Sequence, residues 1–318
     1  MGAAAWLGID LGGTNCRLAL IDARGRVRAR RVMSTRAAQG PDAVLGRLGS
    51  AARELIAEAQ ERQLGARGIG VACAGVIDPR RGVVVYSPNL PGWRDIAMVK
   101  RLTVATGLPV VLGNDADLYA WGEYRFGAGR GRRDLMCFTL GTGVGGGLIV
   151  GGRLVSGPLG TGGEVGHVMV EPQGRRCGCG AQGCLEAYSS ATGLKGMLQE
   201  ALQAGRTSRL EPDDDVKAMA AAARDGDELA RELFHRAGRA LGRAMVAVAM
   251  ITGVGLMIMG GGVAAAWGLM EAAAQQEIKQ RLHIIDPGRL RVKLGELGDL
   301  AATMGAAALA KEAGVSPG

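Results

Sequence analysis

Residues 164–186 read Glu-Val-Gly-His-Val-Met-Val-Glu-Pro-Gln-Gly-Arg-Arg-Cys-Gly-Cys-Gly-Ala-Gln-Gly-Cys-Leu-Glu. Cys177, Cys179 and Cys184 fall close together, and His167 stands upstream of them. Three thiolates and one imidazole make a complete tetrahedral set for zinc, and a set filled by protein leaves no position for a reacting water. The expected metal is therefore a staple, not a reactant. Glu164 and Glu186 bracket the loop, so the staple would present two carboxylates and a histidine as a rigid platform for a polar ligand. The spacing is unlike that of the common zinc fingers. The alternative is three incidental cysteines in a glycine-rich loop.

Two further segments pair a glycine turn with a hydroxyl. One is Asp10-Leu-Gly-Gly-Thr14, the other Gly141-Thr-Gly-Val-Gly-Gly-Gly147. Glycine lets backbone N–H groups come close to phosphate oxygens, and such nests bind anions. A third turn, Gly260-Gly261-Gly262-Val263, joins an apolar strand to an Ala-rich helix and reads as a place for adenosine or as a plain strand-to-helix turn. Residues 141–146 also fit the dinucleotide fingerprint G-x-G-x-x-G, but that motif needs a helix after it. Residues 147–155 read as a hairpin, which excludes a nicotinamide site.

Asn114-Asp115 follows the apolar run Val110–Leu112 and precedes a helix over 116–125. Ligands of open α/β sheets bind beyond the carboxyl ends of strands. A carboxylate there is placed to take a proton from a hydroxyl. Asp115 is equally a helix cap by residue type, and Asp117 is an alternative for either task.

These groups need a scaffold. The chain opens with a strand at Trp6–Ile9, a second run at Cys16–Ile21 and a third near Val27–Val32. Helical spacing follows over 43–63, then a short strand at 68–72. Strand, glycine turn and two further strands recur at Leu135–Leu140, Leu148–Val150 and Arg153–Val155. One unit thus appears twice, the signature of an internal repeat. A long helix is expected at Asp227–Ile251, a buried strand at Leu256–Met259 and a terminal helix at 301–312. The three aspartates within 204–215 read as a solvated helix start.

At 318 residues, with 47% hydrophobic and 21% charged residues, two domains with sizeable cores are expected. Net charge is +8, mostly arginine spread along the chain. A nucleic-acid binder clusters such charge, so this field reads as a solvated surface that attracts anionic substrates. No signal peptide is read at the start. Residues 244–267 carry no charge, but their glycines argue against a membrane span. Free thiols beside a metal motif point to the cytoplasm.

Taken together, Asp10-Leu-Gly-Gly-Thr14, Asn114-Asp115-Ala116, Gly141–Gly147, Glu164-Val-Gly-His167 and Cys177–Glu186 resemble the ROK family of sugar kinases and sugar-responsive repressors. The resemblance runs from Asp10 to the Gly260–Val263 turn, and Ser87-Pro-Asn-Leu-Pro-Gly-Trp93 leans it toward the bacterial glucokinases. It implies an α/β fold of the actin/hexokinase (ribonuclease H-like) kind, two domains about a central cleft. The division expected is 1–115, joined by a C-terminal helix over 301–318, and 116–300, carrying the zinc loop and a dimer surface.

The resemblance also implies roles. Asp10 would act near the metal–phosphate group, with Gly12, Gly13, Thr14, Gly141 and Thr142 cradling phosphates and Gly261 and Gly262 near adenosine. Asn89, Asn114, Asp115, Glu164, His167 and Glu186 would hold sugar hydroxyls, and Asp115 would be the base. His167, Cys177, Cys179 and Cys184 would hold zinc, His167 serving metal and sugar through different ring nitrogens. Asp117 stands where the family often has Asn, and Ala74-Gly75 where it often has Pro-Gly. The expected activity is magnesium- and ATP-dependent phosphorylation of glucose at its 6-hydroxyl by a homodimer. N-acetylmannosamine, mannose and fructose are alternative substrates, and polyphosphate an alternative donor. A repressor needs a DNA-reading module, and no room is read upstream of Asp10 for one. Loss of zinc is expected to harm sugar binding more than nucleotide binding, because the nucleotide turns are distant in sequence.

Overall fold

The computed structural model describes residues 3–157 and 160–314. The end of the expected terminal helix, 315–318, lies outside the described residues. In chain order the first elements are β1 (Ala3–Leu11), β2 (Asn15–Asp22), β3 (Val27–Ser34), α1 (Gly40–Glu61) and β4 (Leu64–Cys73). A small sheet of β5 (Val76–Asp78), β6 (Val83–Tyr86) and β7 (Arg94–Ile96) follows, then α2 (Met98–Thr106), β8 (Val110–Asn114) and α3 (Asp115–Phe126). The main sheet is ordered β3-β2-β1-β4-β8. Its first three strands form antiparallel hairpins, and β4 and β8 add in parallel.

Sequence pattern explains these elements. β1 is almost continuously apolar and buried, as a central strand covered on both faces must be. β3 alternates, with Arg28, Arg30 and Val32 more exposed than their neighbours, which suits an edge strand. Pro41 lies in the first turn of α1, where a missing N–H costs nothing. It buries Val44, Leu45, Leu48, Ala52 and Leu55 in the same core as Leu7, Ile9, Ile69 and Val71.

The second half contains β9 (Leu135–Leu140), β10 (Val144–Val150), β11 (Arg153–Leu154), α4 (Glu186–Ser189), α5 (Ala191–Gln203) and α6 (Val216–Arg224). After them come α7 (Glu228–Thr252), β12 (Leu256–Gly260), α8 (Trp267–Arg281), β13 (Arg291–Leu294) and α9 (Ala301–Glu312). This sheet is ordered β11-β10-β9-β12-β13, which repeats the order of the first. The duplication read from the glycine turns therefore extends to five strands. The glycine run does not stay a turn to residue 147. β10 begins at Val144 and takes in Gly145, Gly146 and Gly147. A Cβ at Gly146 would press on Gly163 O at 2.5 Å, so the strand is glycine because its neighbours are close. β10 and β11 then form the antiparallel hairpin that excluded the nicotinamide reading.

α7 is capped by Asp227, whose carboxylate accepts from Ala230 N at 2.8 Å, and ends at Gly253 in the left-handed region. Most of its apolar face, including Leu233, Phe234, Leu241 and Met245, is buried within the chain. It is core, and only Met250 and Ile251 near its end remain as large exposed apolar side chains.

The chain divides into two compact units. One is drawn from Met1–Arg133, Gly147–Gly162 and Glu296–Gly318, the other from Asp134–Gly146 and Gly163–Gly295. By this grouping, the boundary expected at 115/116 falls inside the first unit. α3 belongs there because it packs on α9, where a Cβ on either Gly122 or Gly305 would strike the other helix's backbone. α9 in turn lies on β1 and β4, its Thr303 and Ala306 carbonyls resting on Gly8 and Gly70.

Candidate active site

In the first unit, strand register sets the geometry. Leu11 of β1 lies beside Cys73 of β4, which lies beside Asn114 of β8. Asp10 and Asp115 therefore stand at the carboxyl ends of two strands with one strand between them, roughly 10 Å of sheet. Asn114 is the helix cap: its Oδ1 accepts from Ala116 N at 2.9 Å and from Asp117 N at 3.3 Å. Its Nδ2 donates to Gly75 O at 3.1 Å. Of the side chain expected to hold sugar, one N–H is left beyond these bonds. The capping alternative for Asp115 thus falls to its neighbour. Asp117 is buried, and its Oδ2 accepts from Ser156 Oγ at 3.0 Å.

The Gly12–Thr14 turn closes through Gly12 N donating to Asn15 O at 3.1 Å. Thr35 pins it from outside, its Oγ1 donating to Gly12 O at 2.7 Å and its N to Thr14 O at 2.8 Å. Asn89 packs over this turn: a Cβ on Gly13 would lie 2.7 Å from Asn89 O. Burial, reinforced by the charge of Asp115, pushes the Asp10 carboxyl up to about 7 against the pull of Arg17.

In the second unit, Gly260 of β12 is the register partner of Thr139 in β9. The turns that follow these parallel strands, Gly141-Thr142 and Gly261-Gly262, therefore lie side by side. Gly261 has φ 84°, and a Cβ there would strike Leu140 O, so this position requires glycine. Glu186 reaches the first of these turns, its Oε2 accepting from Val144 N at 2.9 Å.

The candidate metal centre assembles as read. The ligand atoms of His167, Cys177, Cys179 and Cys184 all lie within 4.8 Å of one another. Cys179 Sγ is 3.8 Å from Cys184 Sγ, and Cys177 Sγ is 3.8 Å from His167 Nδ1. A tetrahedron with bonds of about 2.0–2.3 Å has edges of about 3.3–3.8 Å, so these two pairs already stand at the spacing of zinc ligands, and the set as a whole, within 4.8 Å, closes on a metal by small side-chain shifts. Burial, with the neighbouring Cys179 and Cys184 sulfurs, pushes the Cys177 thiol up to about 12. A bound cation reverses that, because thiolate is the ligand form. Nδ1 is the ring nitrogen beside Cys177 Sγ, so with Nδ1 on a metal Nε2 would be the nitrogen for a second partner. Glu164 precedes the short helical turn of residues 165–167, where His167 N donates to Glu164 O at 3.1 Å.

Residues 6–313 match the ROK family. The chain belongs to that family. It is 34% identical over 312 residues to a glucokinase of Thermotoga maritima, covering 96% of this chain and 97% of the relative. It is 36% identical over 274 residues to an N-acetylmannosamine kinase of Escherichia fergusonii, covering 85% and 88%. Among solved structures, a ROK family glucokinase from Streptomyces griseus in complex with glucose and AMPPNP superposes with a TM-score of 0.79. That chain is 33% identical, with 97% of this chain and 99% of the other covered. The α/β fold is that of the actin-like ROK hexokinases.

For this ROK chain, sequence reading missed three supporting residues. Arg17 is the cross-strand partner of Asp10, a relation legible only once the hairpin register is known. Ser156 bonds Asp117 from 39 residues away, and Thr192 bonds the Gly141 turn from 50. Neither carries a motif. Among the described residues, no helix is long and apolar enough to cross a membrane.

Proposed function

We propose that this ROK sugar kinase phosphorylates glucose at its 6-hydroxyl, with ATP as donor and magnesium as the ion that travels with it. The observation that carries the reading is the division of labour at the start of α3. Asn114 takes the capping bonds of α3, and Asp115 follows it at the carboxyl end of β8, the strand end where a hydroxyl would be bound. Asp115 accepts the hydroxyl proton as the sugar oxygen attacks the γ-phosphorus and ADP leaves. General-base help of this kind contributes about 10²–10⁴-fold.

The remaining acceleration comes from positioning and charge. Magnesium supplies neutralisation of phosphate charge when bound. The chain's part is the two glycine turns with Thr14 and Thr142 about the phosphates, Gly261 and Gly262 beside adenosine, and Asp10 near the metal–phosphate group. Asn89, Asn114, Glu164, His167 and Glu186 orient the sugar by hydrogen bonds. His167, Cys177, Cys179 and Cys184 hold a structural zinc. A homodimer is part of the same reading, with the exposed Met250 and Ile251 at the end of α7 as its apolar contact.

A second substrate has a specific observation in its favour, the relative that is an N-acetylmannosamine kinase. The discriminating experiment is ADP release with magnesium and ATP over glucose, mannose, fructose and N-acetylmannosamine, on protein of measured zinc content. The highest kcat/KM with glucose supports the proposal. Preference for N-acetylmannosamine replaces the substrate, and no ADP with any hexose removes the activity. Light scattering that reads a fully active monomer at micromolar concentration removes the dimer.

A further inference from the structure

The metal loop and the nucleotide-side turn are far apart in sequence, and loss of the metal is expected from sequence to harm the nucleotide site less than the sugar site. In the fold they are bonded to each other. Glu186 Oε2 accepts from Val144 N at 2.9 Å across 42 residues of chain. Its other oxygen, Oε1, lies 3.6 Å from Cys177 Sγ. One carboxylate therefore spans from the thiol cluster to the Gly141–Val144 turn. The fit is tight, since a Cβ on Gly143 would strike Glu186 Oε2.

The residues just after Glu186 tie down the rest of the turn. Ala191 N donates to Gly141 O at 2.8 Å, and Thr192 Oγ1 donates to Thr142 O at 2.8 Å. These bonds have a directional consequence. In a trans peptide the C=O and the following N–H point opposite ways. With the Gly141 and Thr142 carbonyls drawn toward residues 191–192, the N–H groups of Thr142 and Gly143 are aimed to the other side. An anion is bound by N–H groups held in that manner. Residues 186–192 thus help set the orientation of the nest, beside the turn's own bond from Gly141 N to Gly143 O at 2.9 Å.

We propose that Glu186 is a positioning residue for the Gly141–Val144 turn in addition to being a sugar ligand. The metal loop and the nucleotide turn then form one mechanical element. The proposal rests on the reading of Gly141 and Thr142 as a phosphate turn. Its consequence goes further than the expectation from sequence: loosening the metal loop loosens the nucleotide site too.

The experiment uses the full chain with zinc and compares Glu186→Ala with Glu186→Gln. Two quantities are read without turnover: hydrogen exchange of the Val144 amide, and calorimetric binding of magnesium–ATP in the absence of sugar. Glu186→Ala removes the acceptor, so exchange should rise at least about tenfold and the nucleotide Kd about tenfold, the range for a hydrogen bond to a charged group. Glu186→Gln keeps an acceptor oxygen, and should bring both within about twofold of wild type. Cys179→Ser should raise Val144 exchange as Glu186→Ala does. If Glu186→Ala does not fold, Thr192→Val carries the test. It removes the hydroxyl bond to Thr142 and should weaken nucleotide binding severalfold. Unchanged Val144 exchange in Glu186→Ala, or no rescue by Gln, overturns the proposal. Raised exchange with unchanged nucleotide affinity upholds the coupling and overturns the phosphate reading of the turn.

Discussion

Arg17 stands directly across the β1–β2 ladder from Asp10, its Nη1 3.6 Å from Oδ2, while its Nη2 donates to Asp299 at 3.0 Å. One guanidinium is shared between two carboxylates, and the Asp299 end is largely exposed. Arg17 therefore offsets only part of the cost of burying Asp10 beside Asp115. The acid sits near neutrality as a result. Such a group is ready to ionise when a cation arrives, since a nearby positive charge favours its charged form.

This predicts a pH signature in the ligand-free chain. The Asp10 pKa rises on folding from 3.8 to about 7, so between those values the folded state holds more of this proton than the unfolded state. Stability from this group is fully present below the lower value and is lost as pH rises through about 7. Asp10→Asn carries no such proton. The Tm difference, variant minus wild type, should grow from pH 4 to pH 8. Magnesium–ATP affinity of the wild type should rise over the same interval. A constant Tm difference across that range would show that Asp10 titrates as an ordinary carboxylate.

The two candidate bases separate by substitution. Asp115→Ala should lower kcat by about 10²–10⁴-fold with a smaller change in KM, because a base acts in the transition state more than in the ground state. Asp117→Asn keeps an acceptor for Ser156 Oγ and should leave kcat within a few-fold of wild type. Near-normal turnover in Asp115→Ala, with loss in Asp117→Asn, would move the base to residue 117.

What was legible in the sequence divides along a physical line. The cluster of three cysteines and a histidine, the glycine turns and the doubled strand pattern are local: each is a run of residues whose types and spacing predict how that stretch of chain comes together. The assignment at Asn114-Asp115 was not legible, because both residue types cap helices and the choice depends on where the backbone turns. The Glu186–Val144 bond was hidden for a related reason. A carboxylate near a metal ligand reads as a sugar ligand, and nothing local says that its second oxygen meets a strand formed 42 residues earlier. The apolar face of α7 was read correctly as apolar, but periodicity alone does not separate a core face from a dimer seam. Burial assigns it to the core.

Asn114 itself offers a clean separation of structure from ligand binding. Asn114→Ala loses the cap and the bond to Gly75 O, and should cost about 1–2 kcal/mol of stability in denaturant unfolding. Asn114→Ser restores a capping oxygen and should recover most of that loss. Neither variant has the side-chain N–H that would reach a sugar, so both should bind hexose equally poorly. Recovery of sugar affinity in the serine variant would mean that Asn114 serves the sugar only through the helix it caps.

The zinc prediction follows from proton chemistry and from the loop's bonding. Wild-type protein should carry one zinc per chain by mass spectrometry, and Cys179→Ser should carry little. Metal binding must strip a proton from Cys177, whose thiol is otherwise held up at about 12, so zinc affinity should weaken steadily as pH falls. The two carboxylates that flank the cluster are bonded to the segments that carry its ligands. Glu164 is tied to His167 by a backbone bond of 3.1 Å, and Ala187 N, next to Glu186, donates to Cys184 O at 3.1 Å. Without the metal, sugar binding must order this loop and bear its entropy again. Calorimetry on Cys179→Ser should therefore show glucose affinity reduced at least about tenfold. Sugar binding as tight as wild type in protein proven free of zinc would show that the loop holds its shape by its backbone bonds alone.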